Sequence, residues 1–533
     1  MKDWIQYFPY EKPRPQQIEA IDSALEAWRE GKKFVIIEAG TGVGKSAIGL
    51  TISKYIAANS LPSDGFESGA HFLTTQKILQ EQYVKDFGRH GMLSIKSSAN
   101  YQCRFHRKNT CAESLRAVAN SDKGSNFWNA CAFNCNYKKA KRDYVDGKTG
   151  VTNFPYFLAE TTYAGKLNAR QVLVIDECHN AETQLSKFIE VTVSERFAKQ
   201  LLKLDMPLVR TQLQAFNWIK DVYAPKLFSH VKHMKGMLAK YTGLKDKLQE
   251  FQSVAKQFEL LDKHACKLER FLQIYDRDNW VFNDVPADDR KMRKMEFKPI
   301  DVAPFANDML FKYGEFNVLM SATIISKNNF CELLGIDDSK ADFIKIPSPF
   351  PIENRPVMYS GIGKMSANDI NLSLPKLREA VVAILNQHKG EKGIIHCHSY
   401  KIAWYLKKNI RNSRLLIHDS DNRDQVLSKH ASSSKPTVLL SPSMTEGVDL
   451  KDDLSRFQII CKVPFPYLGD KLIRKKMNKW KWWYDMQTAK TVIQSVGRSV
   501  RSEEDSAVTY ILDSSWERFY NKNRRMFGPE FQQ

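Results

Sequence analysis

The segment Gly40–Ser46, with the sequence GTGVGKS, restricts what this chain can fold into more than any other part of it. It follows an apolar run typical of a buried strand, Phe34–Glu38, and helical character begins at Lys45. Glycines at this spacing let the backbone curl so that its N–H groups face an anion, and the helix N-terminus adds partial positive charge. The pattern predicts an α/β domain whose loop binds the phosphates of a nucleotide.

The residues of this loop have separate expected tasks. Lys45 is expected to reach the β- and γ-phosphates, and the Ser46 hydroxyl is expected to bind Mg²⁺. The other predicted nucleotide contacts come from the residues that curl around the phosphates, which are Gly40, Thr41, Gly42, Val43 and Gly44.

Two adjacent carboxylates, Asp176 and Glu177, follow a second strand-like run, Val172–Ile175. A carboxylate at a strand end beside the phosphate loop can hold Mg²⁺, and a neighbouring one can accept a proton from the attacking water. We assign the first role to Asp176 and the second to Glu177. Two acidic residues at a strand end do not by themselves indicate a function. Their presence in the same chain as the phosphate loop indicates nucleotide hydrolysis.

Arg498 and Arg501 lie three residues apart near the C-terminus and would share one face if this segment is helical. Arginines aimed at a γ-phosphate stabilise the charge of the transition state. The alternative is a solvated basic helix. If these arginines contact the γ-phosphate, the nucleotide would bind in a cleft between two domains. Its hydrolysis would then change how firmly this cleft closes.

The chain has 533 residues and a formal net charge of +20. The length predicts about three to four domains. The charge favours nucleic acid as a partner, although some basic proteins are merely soluble or associated with membranes. The N-terminus has no secretion signal and the apolar runs are strand-sized, so we expect a cytoplasmic protein, in the host cytoplasm if the source is viral, without a membrane span.

Four of the nine cysteines lie close together in the pattern C-x7-C-x19-C-x3-C: Cys103, Cys111, Cys131 and Cys135. In a reducing compartment this clustering indicates metal or iron–sulfur ligation before disulfides. Four thiolates can hold Zn²⁺ or a [4Fe–4S] cluster, and their chemistry does not separate the two. His106 and His179 are substitute ligands if one cysteine is free.

The α/β alternation is interrupted twice. Residues 91–150 lose it, and residues from about 183 to 285 show helical spacing that predicts an all-helical insertion. A second parallel-sheet domain is expected after the proline-rich link Pro347–Pro356. Its predicted strands are Gly393–His396, Val438–Leu440, Phe457–Cys461 and Thr509–Leu512.

These motifs and their order resemble the superfamily 2 DNA helicases of the XPD/DinG type over nearly the whole chain. Gly40–Ser46 is similar to motif I, Leu73–Gln76 to motif Ia, Asp176–His179 to motif II in a DECH spelling, and Ser321–Thr323 to motif III. Thr152-Asn153 is similar to the short TN element of the family, Glu446–Leu450 to motif V and Gln494–Arg501 to motif VI. The resemblance implies that Gln17 reads the adenine base, that Asp449 contacts the nucleotide, and that His179 and Gln494 join the catalytic set.

The resemblance also implies the architecture: an α/β fold with two RecA-like parallel-sheet domains, and an Fe–S insertion and a helical arch in the first. The expected bounds are 1–90, 151–184 and 311–346 for the first RecA-like domain, 91–150 for the Fe–S domain, 185–310 for the arch and 347–533 for the second RecA-like domain.

The implied activity is ATP- and Mg²⁺-dependent movement on single-stranded DNA in the 5′→3′ direction, with the [4Fe–4S] domain near the junction of single- and double-stranded DNA. An ATP-switched clamp is one alternative, but it predicts loss of Glu177 or of the arginines, which are present. A zinc-stabilised RNA remodeller is the other. Three groups are candidate nucleic-acid contacts: Thr74, Thr75 and Gln76; Tyr101, Arg104, Phe105, Arg107 and Lys108; and Arg474, Lys475 and Lys476 with Trp480, Trp482 and Trp483.

Overall fold

The computed structural model of the chain describes residues 2–118, 121–165, 167–242, 244–288, 292–418, 422–442, 450, 452–500, 502 and 504–532. The strands are β1 Phe34–Ala39, β2 Glu67–Thr74, β3 Met92–Ser94, β4 Thr149–Asn153, β5 Arg170–Asp176, β6 Val191–Ser194, β7 Trp280–Val285, β8 Lys294–Pro299, β9 Gly314–Ser321, β10 Ala341–Ile346, β11 Val357–Gly363, β12 Gly393–His396, β13 Leu415–Ile417, β14 Val438–Ser441, β15 Phe457–Ile460 and β16 Val508–Asp513.

The α-helices are α1 Pro15–Arg29, α2 Lys45–Asn59, α3 Lys77–Phe87, α4 Cys111–Ala117, α5 Asn126–Phe133, α6 Asn136–Asp146, α7 Phe154–Ala159, α8 Ala181–Ile189, α9 Glu195–Leu202, α10 Gln212–Trp218, α11 Ala224–Tyr241, α12 Leu248–Ile274, α13 Ala303–Met309, α14 Lys327–Leu334, α15 Ile370–Gln387, α16 Tyr400–Asn409, α17 Arg423–Ser432, α18 Lys471–Lys479, α19 Trp483–Val496 and α20 Ser515–Asn523. Within the described residues, no helix is both long enough and apolar enough to cross a membrane.

The first domain is built on a parallel sheet with the strand order β10-β1-β9-β5-β2-β4-β3. β1 and β5 are buried along their whole length, as expected of parallel strands that are covered by helices on both faces. β9 lies between them, so the segments that follow β1, β9 and β5 meet at one edge of the sheet. This order brings the phosphate loop, Ser321 and Asp176 together.

The second domain is a parallel sheet with the order β11-β16-β15-β12-β14-β13. The strand predicted at Gly393–His396 has these bounds in the structure; β14 and β15 differ from their predicted bounds by one residue at one end, and β16 by one residue at each end. The prediction of an α/β chain with two parallel sheets is confirmed.

The insertion between the second and third motifs contains a sheet as well as helices. β6, β8 and β7 form an antiparallel sheet beside the long helices α11 and α12. The prediction of an all-helical insertion was wrong because the helical spacing between Leu244 and Phe271 dominates the pattern, while these strands are only four to six residues long. A further difference is that β3 and the start of β4 fall inside the range 91–150 yet pair in the first sheet.

Candidate functional site

The phosphate loop turns at two glycines that adopt left-handed backbone conformations, with φ values of 87° at Gly42 and 83° at Gly44. Gly44 is the N-cap of α2, so the first N–H groups of that helix face the loop. A Cβ atom at Gly42 would collide with the ring of Phe350, and one at Gly40 would meet Ser348. The linker between the domains therefore packs directly on the predicted phosphate site.

The predicted adenine-side residue lies next to this loop. Gln17 is buried, and its amide nitrogen lies 2.5 Å from the position that a Cβ atom at Gly44 would occupy. The Gln17 side-chain oxygen accepts a hydrogen bond from the Arg14 backbone N–H at 2.9 Å, and Arg14 Nη1 donates to the Gly42 carbonyl at 2.6 Å. The Arg14–Gln17 segment is thus attached to the phosphate loop.

Asp176 ends β5 and is almost fully buried. Its Oδ1 accepts from the Glu177 backbone N–H at 3.0 Å, and its Oδ2 accepts from the Tyr83 hydroxyl at 2.9 Å. Burial, followed by the negative charge of Glu177, raises the pKa of Asp176 to about 6, and the Lys45 charge opposes this rise. A divalent cation between Ser46 and Asp176 would supply the missing positive charge, so the donor set fits Mg²⁺.

His179 connects three motifs. Its Nδ1 lies 2.7 Å from Ser321 Oγ and 3.3 Å from Glu177 Oε2, and its Nε2 lies 2.7 Å from the amide nitrogen of Gln494. Because the Gln494 amide donates, His179 Nε2 must accept, which places the ring proton on Nδ1. Burial, and then the charges of Lys490, Lys45 and Arg498, hold the pKa of His179 well below its usual range. The neutral ring therefore contacts Glu177 without forming an ion pair.

The second domain reaches the same cleft through the end of α19. Gln494 lies in the last turn of that helix and contacts His179 of the first domain. A Cβ atom at Gly497 would lie 3.8 Å from Thr41 Oγ1, and both Arg498 and Lys45 act electrostatically on His179. The phosphate loop and the Gln494–Arg498 segment thus face each other.

The condition under which both arginines would share a helical face is not met at Arg498, because α19 ends at Val496 and Arg498 follows it in a non-helical segment. Arg498 is nevertheless largely buried. Arg501 and Asp449 lie outside the described residues, and their assignments stay predictions.

The sequence analysis did not predict two hydrogen bonds made by buried side chains near the site. Glu38 Oε2 accepts hydrogen bonds from the backbone N–H groups of Ile324 and Ile325, at 2.7 and 2.5 Å, just after the SAT segment. Tyr83 on α3 donates to Asp176, as described above. An isolated buried Glu in a strand could have signalled the first contact, whereas nothing near Tyr83 in the sequence points to Asp176.

The four clustered cysteines line one cavity of about 20 Å³. Cys111 Sγ lies 3.3 Å from Cys135 Sγ, and the His106 backbone N–H donates to Cys103 Sγ at 3.3 Å. Burial, and then the Cys135 thiol, raise the pKa of Cys111 to about 12. As positioned, no group of three or more His, Cys, Asp or Glu side chains among the described residues could hold a metal ion. Of the two proposed substitutes, His106 lies beside this cavity, where its ring contacts Ser114 and Phe127 of the lining, whereas His179 lies in the nucleotide cleft.

The candidate nucleic-acid contacts divide by exposure. Arg104, Phe105, Arg107 and Lys108 are exposed, and Tyr101 is half-buried against Tyr137.

In motif Ia, Thr75 and Gln76 are half-buried, but Thr74 is fully buried and its hydroxyl donates to the Gln76 carbonyl at 3.2 Å. Thr74 is therefore not available to a phosphate.

The prediction that Trp480, Trp482 and Trp483 offer a stacking surface to nucleic acid was wrong. Trp480 and Trp483 are buried against Leu333 of the first domain, and Trp482 is partly buried with them. Lys476 is buried too and pairs with Glu182, while Arg474 and Lys475 remain exposed. These rings hold the two domains together.

Comparison with known families gives two matches. Residues 10–206 match the family model described as "Type III restriction enzyme, res subunit", and residues 381–530 match the model described as "Helicase C-terminal domain". The first match includes the phosphate loop and motif II, and the second includes motif VI.

The relatives are distant, and they cover different shares of the chain. An ATP-dependent DNA helicase YoaA of Haemophilus influenzae is 21% identical over 94% of this chain and 91% of that protein. An ATP-dependent DNA helicase DinG of Photobacterium profundum is 26% identical over 41% of this chain and 34% of that protein. A solved structure of an XPD helicase, 15% identical, superposes with a TM-score of 0.66 over 97% of this chain and 98% of its own. This likeness confirms the predicted fold class of two RecA-like domains.

Proposed function

Because this chain is an XPD/DinG-type superfamily 2 helicase, we propose that it hydrolyses ATP in the cleft between its RecA-like domains and uses that hydrolysis to move along single-stranded DNA and separate duplex DNA. The observation that carries the proposal is the 2.7 Å contact between His179 of motif II and Gln494 of motif VI. His179, which lies beside the proposed water-activating carboxylate of Glu177, is thereby hydrogen-bonded to the second domain.

The residues around the cleft support a division of tasks. Lys45 of the first domain and Arg498 of the second both act electrostatically on His179, and both would supply positive charge to the terminal phosphate. Ser46 and Asp176 would hold Mg²⁺, which when bound neutralises charge on the phosphate oxygens. Glu177 adopts a left-handed conformation, with φ at 52°, and is only partly buried, so its carboxylate is accessible to a water in the cleft.

We propose that hydrolysis alters domain closure through the His179 network. Ser321 Oγ accepts from the Thr323 backbone N–H at 3.0 Å and also contacts His179, so motif III is attached to motif II. When the terminal phosphate leaves, Arg498 loses its anionic partner and the closed cleft loses part of its stabilisation. The resulting change in the spacing of the domains would advance the protein along a strand held by both.

The test of the site is Lys45→Ala, which is expected to abolish DNA-stimulated ATP hydrolysis because the phosphates lose their closest cation. Lys54→Ala is the matched control, since Lys54 lies on the same helix α2 and is half-buried there. Undiminished turnover in the Lys45 variant would refute the assignment, and so would an equal loss in both variants.

For the cysteine cavity we propose a [4Fe–4S] cluster held by Cys103, Cys111, Cys131 and Cys135, with Zn²⁺ as the alternative. The convergence of four thiols on one cavity supports the proposal. Purified protein is expected to contain iron and to absorb visible light, and Cys131→Ser is expected to remove both. Cys266→Ser, on the helix α12, is the control. A colourless protein that contains zinc would overturn the cluster.

Direction and substrate are part of the same proposal. Strand displacement is expected from duplexes with a 5′ single-stranded DNA tail, and RNA duplexes with the same tail are expected to remain intact. Displacement only from 3′ tails would overturn the 5′→3′ direction. ATP-dependent binding without displacement would favour the clamp, and a preference for RNA would favour the remodeller.

A further inference from the structure

The side chain of Tyr83 lies between the two groups assigned to magnesium. Tyr83 is on α3, after motif Ia, and is 3% exposed. Its hydroxyl donates to Asp176 Oδ2 at 2.9 Å, and the Ser46 side chain lies beside it. Because its single proton goes to Asp176, the phenol oxygen could only accept from the Ser46 hydroxyl. One phenol group therefore lies beside both the residue after Lys45 and the carboxylate of motif II.

The surroundings of Tyr83 fix where this hydroxyl can point. Its ring packs on Phe72 of β2 and Phe87 of α3, with centroid distances of 5.7 and 5.9 Å. One turn earlier in α3, Gln80 is fully buried and its amide donates to the Ile95 carbonyl and to Ser94 Oγ, both at 2.8 Å. The helix cannot slide or rotate without breaking these bonds, so the hydroxyl stays between Ser46 and Asp176.

We propose that Tyr83 is a positioning residue that keeps the Asp176 carboxylate and the Ser46 hydroxyl oriented for magnesium; this inference rests on the proposed ATP site. Asp176 Oδ1 is oriented by the Glu177 backbone, and Tyr83 is the side chain that orients Oδ2. Groups that hydrogen-bond metal ligands commonly determine the orientation of those ligands. Tyr83 acts through Ser46 and Asp176 and is not a catalytic residue.

This role has a specific signature. Loss of the hydroxyl should weaken the binding of nucleotide in the presence of Mg²⁺. It should leave the affinity for nucleotide without Mg²⁺ unchanged. A role limited to packing would affect both affinities equally, because the phosphate loop binds the nucleotide with or without the metal. Removal of such an orienting group typically costs roughly 10-fold to 100-fold in metal affinity.

The test is Tyr83→Phe, which keeps the ring in its packed position and removes only the hydroxyl. Tyr55→Phe is a closely matched control in the same core. The Tyr55 hydroxyl also donates to an aspartate, Asp3 Oδ2 at 2.5 Å, and accepts from Arg29 at 3.0 Å. Tyr55 lies nine residues after Ser46 on α2, or roughly 14 Å along the helix at 1.5 Å per residue, well away from the proposed magnesium site.

The measurement is equilibrium binding of a fluorescent ATP analogue to the full chain, titrated with Mg²⁺ and repeated in EDTA. For Tyr83→Phe we expect the Mg²⁺ concentration at half-saturation to rise about tenfold or more, with the affinity in EDTA unchanged. Tyr55→Phe should match the wild type in both titrations. An unchanged Mg²⁺ titration, or an equal loss in EDTA, would overturn the inference. A wild-type protein that binds no nucleotide would instead overturn the proposed function.

Discussion

His71 and Glu38 show how single buried side chains hold the first domain together. Glu38 accepts from two consecutive backbone N–H groups after the SAT segment, and Ile325, one of the two, has a φ of 71°, which is unusual for a β-branched residue. His71 is 1% exposed, with Nδ1 at 2.9 Å from the Tyr144 hydroxyl and Nε2 at 2.8 Å from the Asn168 carbonyl. The Nε2 proton therefore goes to the carbonyl, and burial favours the neutral form of the ring.

The neutral His71 predicts acid sensitivity. Burial, and then the nearby Arg170, lower the pKa of His71 from 6.5 to about 3, so between these values the unfolded chain binds more protons than the folded one. Stability must then rise with pH through this window and be complete above 6.5. Between pH 6.5 and about 5 the change from this one group is about 2 kcal/mol.

Urea unfolding at pH 7 and pH 5 tests this prediction. His71→Gln is expected to show a smaller difference between the two pH values than the wild type, although it is less stable at both. His233→Gln, on an exposed position of α11, should keep the wild-type difference. An identical pH dependence in the two variants would contradict the assignment to His71.

At the scale of elements, α18 and α19 join the second domain to the first. Lys476 of α18 is 4% exposed, pairs with Glu182 of α8, and lies 5.5 Å from the Trp483 ring centroid. Lys479 pairs with Asp301 at 2.6 Å. Because α8 directly follows motif II, these contacts hold motif II close to α19 and Gln494.

Lys476→Ala is expected to destabilise this contact by about 3 to 5 kcal/mol, because it leaves the Glu182 carboxylate buried without its partner. The double variant Lys476→Ala with Glu182→Gln should recover part of the loss, since no unpaired charge remains. Thermal unfolding measures both effects. Lys522→Ala is the control, because Lys522 pairs with Asp485 at 2.6 Å but is 70% exposed. Equal effects of the two lysine substitutions would show that burial of the pair is unimportant.

At the scale of the whole molecule, the net charge of +20 predicts strongly salt-dependent DNA binding. The logarithm of the binding constant should fall linearly with the logarithm of salt concentration, with a slope of about −0.7 for each phosphate neutralised on a single strand. Arg107→Ala, on the exposed face of the cysteine insertion, should reduce that slope by roughly one phosphate contact. Lys199→Ala, 69% exposed on α9, should not. Fluorescence anisotropy at several salt concentrations measures both, and a slope that Arg107→Ala leaves unchanged would remove this face from the DNA path.

Local sequence determined the elements and their chemistry. The glycines of Gly40–Ser46 and the apolar runs before them predicted strand, loop and helix, because backbone freedom and side-chain alternation act within a few residues. Strand β12 was predicted to the residue for the same reason. The assigned roles of Asp449 and Arg501 remain predictions.

Tertiary structure alone decided which of these residues meet. The strand order that places β9 between β1 and β5, the burial of Trp480 and Trp483 between domains, and the contact of Tyr83 with Asp176 all join residues distant in the chain. Such contacts depend on how hydrophobic faces pack and on which polar groups must be satisfied once buried, and neither leaves a periodic signal in the sequence. The sequence by itself therefore determined the kind of site, and the packing determined its geometry.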